Sequence, residues 1–235
     1  MRKEDLVVNN PLRVLGMGMK PKDDQQRMGL IMARAGLGKT AILVQIALDS
    51  ILRGNRVLHV SIGEGVDKTR AWYDDILDLM VAGQKVDDLQ EMVAEIMAKR
   101  MIMTFKESSF GPAKLEERLQ DLIQQDIFRP DCMIIDGYDF ATTNHAQLEE
   151  FKSFMVRHGL KTIWFSAISH RTDERVSAAG VPAPCHELDD LFEMILMVVA
   201  EKDAIKLNLL KCSSGAIAPG TSLLLDPSTM LIKKG

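Results

Sequence analysis

The stretch Met28-Gly-Leu-Ile-Met-Ala-Arg-Ala-Gly-Leu-Gly-Lys-Thr40 constrains the fold more than any other part of the chain. A short apolar run, Met28 to Ala33, leads directly into a turn of small residues, and a helical pattern follows from Lys39 to about Arg53. Within that pattern Ile42, Leu43, Ile46, Ala47, Ile51 and Leu52 recur at helical spacing, and Gly54-Asn55 supplies a stop signal. The order predicted is buried strand, tight loop, amphipathic helix. Small residues let successive backbone N–H groups face one point, where the helix that follows presents the positive end of its dipole. Ala35, Gly36, Leu37, Gly38, Lys39, Thr40 and Ala41 are therefore the candidate phosphate-binding residues. In such a loop Lys39 reaches the β and γ phosphates of a nucleotide, and the Thr40 hydroxyl is a ligand for Mg²⁺.

Strands and helices continue to alternate downstream. Val57 to Ile62 predicts a second buried strand; Trp72, Ile76, Leu79 and Met80 mark one core-facing helix stripe, and Leu89, Met92, Val93, Ile96 and Met97 a second. Met101 to Phe105 reads as a strand, and a helix opens near Pro112 with Leu115, Leu119, Leu122 and Ile123 inward. The apolar strand Cys132-Met-Ile-Ile135, a helix around residues 145 to 157 ended by Gly159, and a strand from Thr162 to Ile168 complete the alternation. This pattern predicts a parallel sheet covered by helices on both faces. After about residue 190 the runs Phe192 to Val199, Ala204 to Leu210, Thr221 to Leu225 and Met230 to Ile232 read as successive strands, an antiparallel extension of that sheet. Residues 1–27, with Pro11, Gly16, Gly18, Pro21 and a charged Lys22-Asp23-Asp24, read as an arm or lead-in to one domain over 28–235.

Two acidic residues complete the candidate chemistry. Asp136 closes the apolar strand that begins at Cys132, where a carboxylate can hold Mg²⁺ or its water shell. Glu64 follows the second strand, and strand ends line the ligand crevice of such sheets, so it is the candidate for activating water. Composition narrows the partners. A formal net charge of -4 lacks the basic field of a dedicated nucleic-acid binder. Cys132, Cys185 and Cys212 are too widely spaced for a zinc pattern or a disulfide framework and suggest a reducing cytosol. The amino terminus lacks the apolar core of a signal peptide, and Met194 to Ala200 is too short to span a bilayer, so a cytoplasmic protein without a membrane partner is expected.

Five segments in order carry a family resemblance. Gly29 to Thr40 contains the Walker A spacing, with Ala33 in place of the usual first Gly; Arg56 to Glu64, Met133 to Tyr138, Thr162 to Ser166 and Lys211 to Asp226 follow. Over residues 28 to 233 the chain resembles the RecA-like P-loop ATPases, especially the DnaB-type replicative helicase ATPase domain and the KaiC-like proteins. The resemblance implies an α/β, RecA-like P-loop NTPase fold, ATP and Mg²⁺ as ligands, and a catalytic Glu at the position of Glu64. It also implies a polar sensor after the strand at 162–168 and a Lys-x-Arg finger pair that reaches a neighbouring subunit's nucleotide. Two positions depart from it. Ala167 stands where the helicases have a sensor Gln, with Ser166, Ser169 and His170 as polar substitutes, and Lys211-Cys-Ser213 keeps the Lys but lacks the Arg. An Arg finger stabilises charge on the transferring phosphoryl group, so its loss implies slow turnover, with Lys211 compensating in part.

The function expected is therefore a Mg²⁺-dependent ATP-binding protein and slow ATPase, binding ATP and ADP, working as a ring or helical homo-oligomer and as a regulatory or assembly module for a protein partner. Alternatives are a DNA translocase, helicase or recombinase-like ATPase, a small-molecule kinase, and a non-catalytic nucleotide-sensing scaffold. DNA is the less favoured partner. Gly137 to Ala146 contains no basic residue except His145, and in His170 to Asp190 the residues Arg171 and Arg175 are interleaved with Asp173 and Glu174.

Overall fold

Apolar runs and amphipathic stretches alternate to make a mixed eight-stranded sheet with helices on both faces. The computed structural model describes residues 10–15, 26–82, 89–170, 172–202, 204–215 and 217–233. In chain order the elements are α1 (Pro11–Val14), β1 (Arg27–Ala33), α2 (Lys39–Leu52), β2 (Val57–Ile62), α3 (Val66–Val81), α4 (Leu89–Lys99) and β3 (Arg100–Phe105). They continue with α5 (Pro112–Gln124), β4 (Cys132–Asp136), α6 (His145–His158), β5 (Thr162–Ile168), β6 (Met194–Ala200), β7 (Ile205–Cys212) and β8 (Ser222–Leu225). Across the sheet the order is β3-β2-β4-β5-β1-β6-β7-β8.

Side chains alternate between the two faces of each strand, so each strand feeds two separate cores. On one face Ile31, Ala33, Ile134, Trp164 and Leu196 pack with residues of α2, α3 and α4, among them Ile42, Leu48, Tyr73, Ile76 and Ile96. On the other, Leu30, Met32, Ile135 and Phe165 meet Leu115 and Leu119 of α5 and Leu148, Phe151 and Met155 of α6. Helix α6 starts with a reciprocal capping box between Asn144 and Gln147, and Gly159 ends it in the left-handed conformation. Among the described residues no helix is long and apolar enough to cross a membrane.

Three sequence expectations need correction. Strand β6 runs parallel to β1, so the antiparallel part of the sheet is confined to the β6–β7 and β7–β8 pairs. A run of apolar residues specifies burial, whereas strand direction follows from the connection, here the long segment between β5 and β6. Met230 to Ile232 forms no strand; it belongs to a turn, with Ile232 making an isolated bridge to Leu225. The apolar stripe of α4 is split: Met92 and Ile96 are buried, while Leu89, Val93 and Met97 are 40%, 36% and 44% exposed. Leu79 of α3 is likewise exposed. Of the expected arm, residues 10–15 dock on α2 of the same chain, where the Asn10 side chain donates to the Gln45 carbonyl at 2.7 Å and Arg13 pairs with Asp49 at 2.5 Å. Arg27 already belongs to β1, and residues 1–9 and 16–25 lie outside the described residues.

Candidate functional site

Four parallel strands, β1, β5, β4 and β2, end along one edge of the sheet, and the candidate residues follow those ends. After β1 the chain turns at Arg34 to Leu37 and enters α2 through Gly38. Gly36 and Gly38 have φ of 77° and 75°, a left-handed backbone that side chains disfavour, and among the described residues no side chain caps the first turn of α2. A Cβ at residue 38 would also lie 2.6 Å from the Met230 methyl, so the carboxyl-terminal turn rests directly on the loop. Ala35 and Gly36 are exposed, Leu37 to Thr40 are half-buried, and Ala41 is fully buried in the first turn of the helix.

Thr40 and Asp136 meet. The Thr40 Oγ1 hydroxyl donates to Asp136 Oδ2 at 2.6 Å, joining residues from opposite halves of the chain. The other carboxylate oxygen, Oδ1, accepts from Ser166 Oγ at 2.5 Å, and that same Ser166 oxygen accepts the Gly137 N–H at 3.0 Å. Strand order explains this cluster: β5 lies between β1 and β4, and Asp136 and Ser166 each follow directly on Ile135 and Phe165, the last pair between β4 and β5. Gly137 has φ of 89° and a Cβ there would sit 2.5 Å from the Ile62 carbonyl oxygen, so only glycine lets the chain leave β4 so close to β2. Lys39 reaches back to the Arg34 carbonyl at 3.5 Å. Burial pushes its ammonium pKa below the ordinary value, and the Asp136 carboxylate opposes that shift.

Other expected residues stand further away or face elsewhere. Glu64 lies just past the end of β2, 53% exposed, with its carboxylate paired to Lys68 at 2.6 Å. Ala167 is buried in the core on the opposite face from Asp136 and Ser166, so a longer side chain at 167 within this strand would point away from the site. Ser169 is buried, its N–H donating to the Ala33 carbonyl at 3.0 Å, and His170 is exposed. Lys211 is level with Leu30 through their shared neighbour Ile195, but β1 and β6 lie between its strand and β5, and it donates to the Asp189 carbonyl at 2.6 Å.

The structure adds residues that motif reading passed over. His59 and Ser61 are buried on β2, and Ser61 is paired in register with Asp136. Alternate polar residues in an otherwise apolar strand are the signal: 59 and 61 share a face, which turns polar toward the strand end. Nδ1 of His59 lies 3.1 Å from the Tyr73 hydroxyl, while Nε2 is buried without a hydrogen-bond partner among the described residues. Glu107, after β3, approaches Gly63 so closely that a Cβ there would lie 2.8 Å from its carboxylate. Among the described residues no three His, Cys, Asp or Glu side chains gather as a metal centre. Thr40 and Asp136 instead offer hard oxygen donors from a hydroxyl and a carboxylate, a set that suits Mg²⁺ when phosphates and waters supply the remaining ligands. No protein-family model matches the chain, and no curated protein matches it.

Proposed function

We propose that the chain is a Mg²⁺-dependent ATP-binding protein and slow ATPase of the RecA-like class, acting as an oligomeric regulatory or assembly module. The observation that carries this reading is the 2.6 Å contact between Thr40, in the first turn of a helix entered through a glycine loop, and Asp136, at the tip of a parallel strand. A phosphate loop and a cation-holding acid need that juxtaposition, because Thr40 and Asp136 would together hold Mg²⁺ beside the bound phosphates. Lys39 adds a partly desolvated positive charge beside them, which strengthens its attraction for phosphate oxygens. When bound, Mg²⁺ neutralises charge that develops on the phosphates. The protein's own residues hold and orient: loop N–H groups and Lys39 take the phosphates, Thr40 and Asp136 take the cation side, and Glu64, released from Lys68, positions water.

Calorimetry with ATP, with and without Mg²⁺, tests the reading directly. Lys39→Ala removes at least one charge-assisted contact and should weaken binding by about tenfold or more. Asp136→Asn should weaken binding chiefly when Mg²⁺ is present, and Glu64→Gln should keep ATP while losing most turnover. ATP affinity unchanged by Lys39→Ala would sink the phosphate-loop assignment.

A further inference from the structure

Asp136 has two carboxylate oxygens, and they have different partners. Oδ2 faces the loop, where its hydrogen bond from Thr40 must give way if a cation is to approach both oxygens. Oδ1 faces β5, where Ser166, 2% exposed, donates at 2.5 Å while its own oxygen accepts the Gly137 N–H. The serine therefore grips both the carboxylate and the following backbone amide. Gly137 is further located by its approach to the Ile62 carbonyl, so β2, β4 and β5 jointly fix the Asp136 side chain.

We propose that Ser166 is the positioning residue of the cation site: it holds Asp136 Oδ1 permanently and leaves Oδ2 as the oxygen that exchanges between the Thr40 hydroxyl and a divalent cation or its water. This inference rests on the function proposed above. It assigns the polar contribution of β5 to the residue before Ala167, since Ala167 is buried on the other face. Ser166 itself does not touch nucleotide. A carboxylate tied at one oxygen has one rotamer to offer, so less ordering is left for the moment of cation binding.

The test separates the cation from the nucleotide. ATP binding is titrated by calorimetry without Mg²⁺ and then over a series of Mg²⁺ concentrations, for the parent protein, Ser166→Ala and Ser166→Thr. Removing one charge-assisted hydrogen bond should raise the Mg²⁺ concentration needed for half of the tightening by roughly tenfold in Ser166→Ala, and the hydroxyl of Ser166→Thr should restore most of it. Mg²⁺-free affinity should be the parent's. Because loss of a buried hydroxyl can also loosen the sheet, Ser166→Ala is compared on an Asp136→Asn background, where it should produce little further change in Mg²⁺ requirement. A Ser166→Ala protein that binds ATP with the parental Mg²⁺ requirement, or equal effects on both backgrounds, overturns the positioning role while leaving ATP binding intact. A parent protein that binds no ATP at all overturns the functional reading itself.

Discussion

His59 lies fully buried on β2, against Tyr73 and within the field of Asp136. Burial withholds the water that would stabilise an imidazolium, so its pKa is pushed down to about 4, against the attraction of Asp136 and with Arg100 adding to the lowering. In the unfolded chain the ring titrates near 6.5. The unfolded state therefore takes up a proton that the folded state refuses between those values, and the stability present above about pH 6.5 is lost progressively as the pH falls toward about 4. A shift of this size corresponds to roughly 3 kcal/mol, a large part of the 5–15 kcal/mol of an ordinary domain. Urea unfolding followed from pH 7 to pH 4 should show this slope in the parent protein and a flatter one in His59→Gln, which keeps a polar group but does not titrate. Equal slopes would mean that protonation elsewhere governs the acid limb.

Between elements, buried hydrogen bonds and one packing contact tie both ends of the described chain to the loop before α2. The Asn10 side chain donates to the Gln45 carbonyl at 2.7 Å, the Gln45 amide donates to the Met230 carbonyl at 3.0 Å, and the Met230 side chain lies on Gly38. Asp226 shapes the turn that presents Met230, accepting from Ser228 Oγ and from the backbone N–H of Ser228 and Thr229. A loop that holds its N–H groups toward phosphates, as proposed for this one, gains from such external support, because glycines alone leave it free to adopt other backbone conformations. Met230→Ala should therefore cost on the order of 2–3 kcal/mol of stability by leaving a void, and should also weaken ATP binding, whereas Met230→Leu should retain most of both. Denaturant unfolding and calorimetry on the same preparations check this. Destabilisation with unaltered ATP affinity would reduce the turn to a purely structural brace.

At the scale of the whole molecule, the position of Lys211 decides what assembly could use it. It lies on β7, with β6, β1 and β5 between it and the strand of Asp136, and donates to the Asp189 carbonyl. The proposed assembly has Lys211 serve the nucleotide of a neighbouring copy, through a head-to-tail contact that gives a ring when the rotation closes and a filament when it does not. ATP should then raise the oligomeric fraction relative to ADP in solution mass measurements. Mixing inactive Glu64→Gln with inactive Lys211→Ala should restore partial turnover, since some junctions then carry both intact groups. No rescue despite verified subunit exchange would confine the chemistry to single subunits.

Local patterns in the sequence determine much of this protein. The apolar run Met28 to Ala33, the turn of small residues from Ala35 to Gly38, the helix from Lys39 and the strand ending at Asp136 are all readable in advance, because backbone sterics and side-chain periodicity act over a few residues. What tertiary structure alone decided is which elements became neighbours. Insertion of β5 between β1 and β4 placed Ser166 against Asp136, the turn after β8 brought Met230 onto Gly38, and β6 joined β1 in parallel. The same applies to α4, where Met92 and Ile96 of an apolar stripe are buried and Leu89, Val93 and Met97 are exposed. Hydrophobic burial is non-directional: an apolar pattern selects the face a residue hides, and the identity of the strand or helix that covers it emerges only when distant segments of the chain pair.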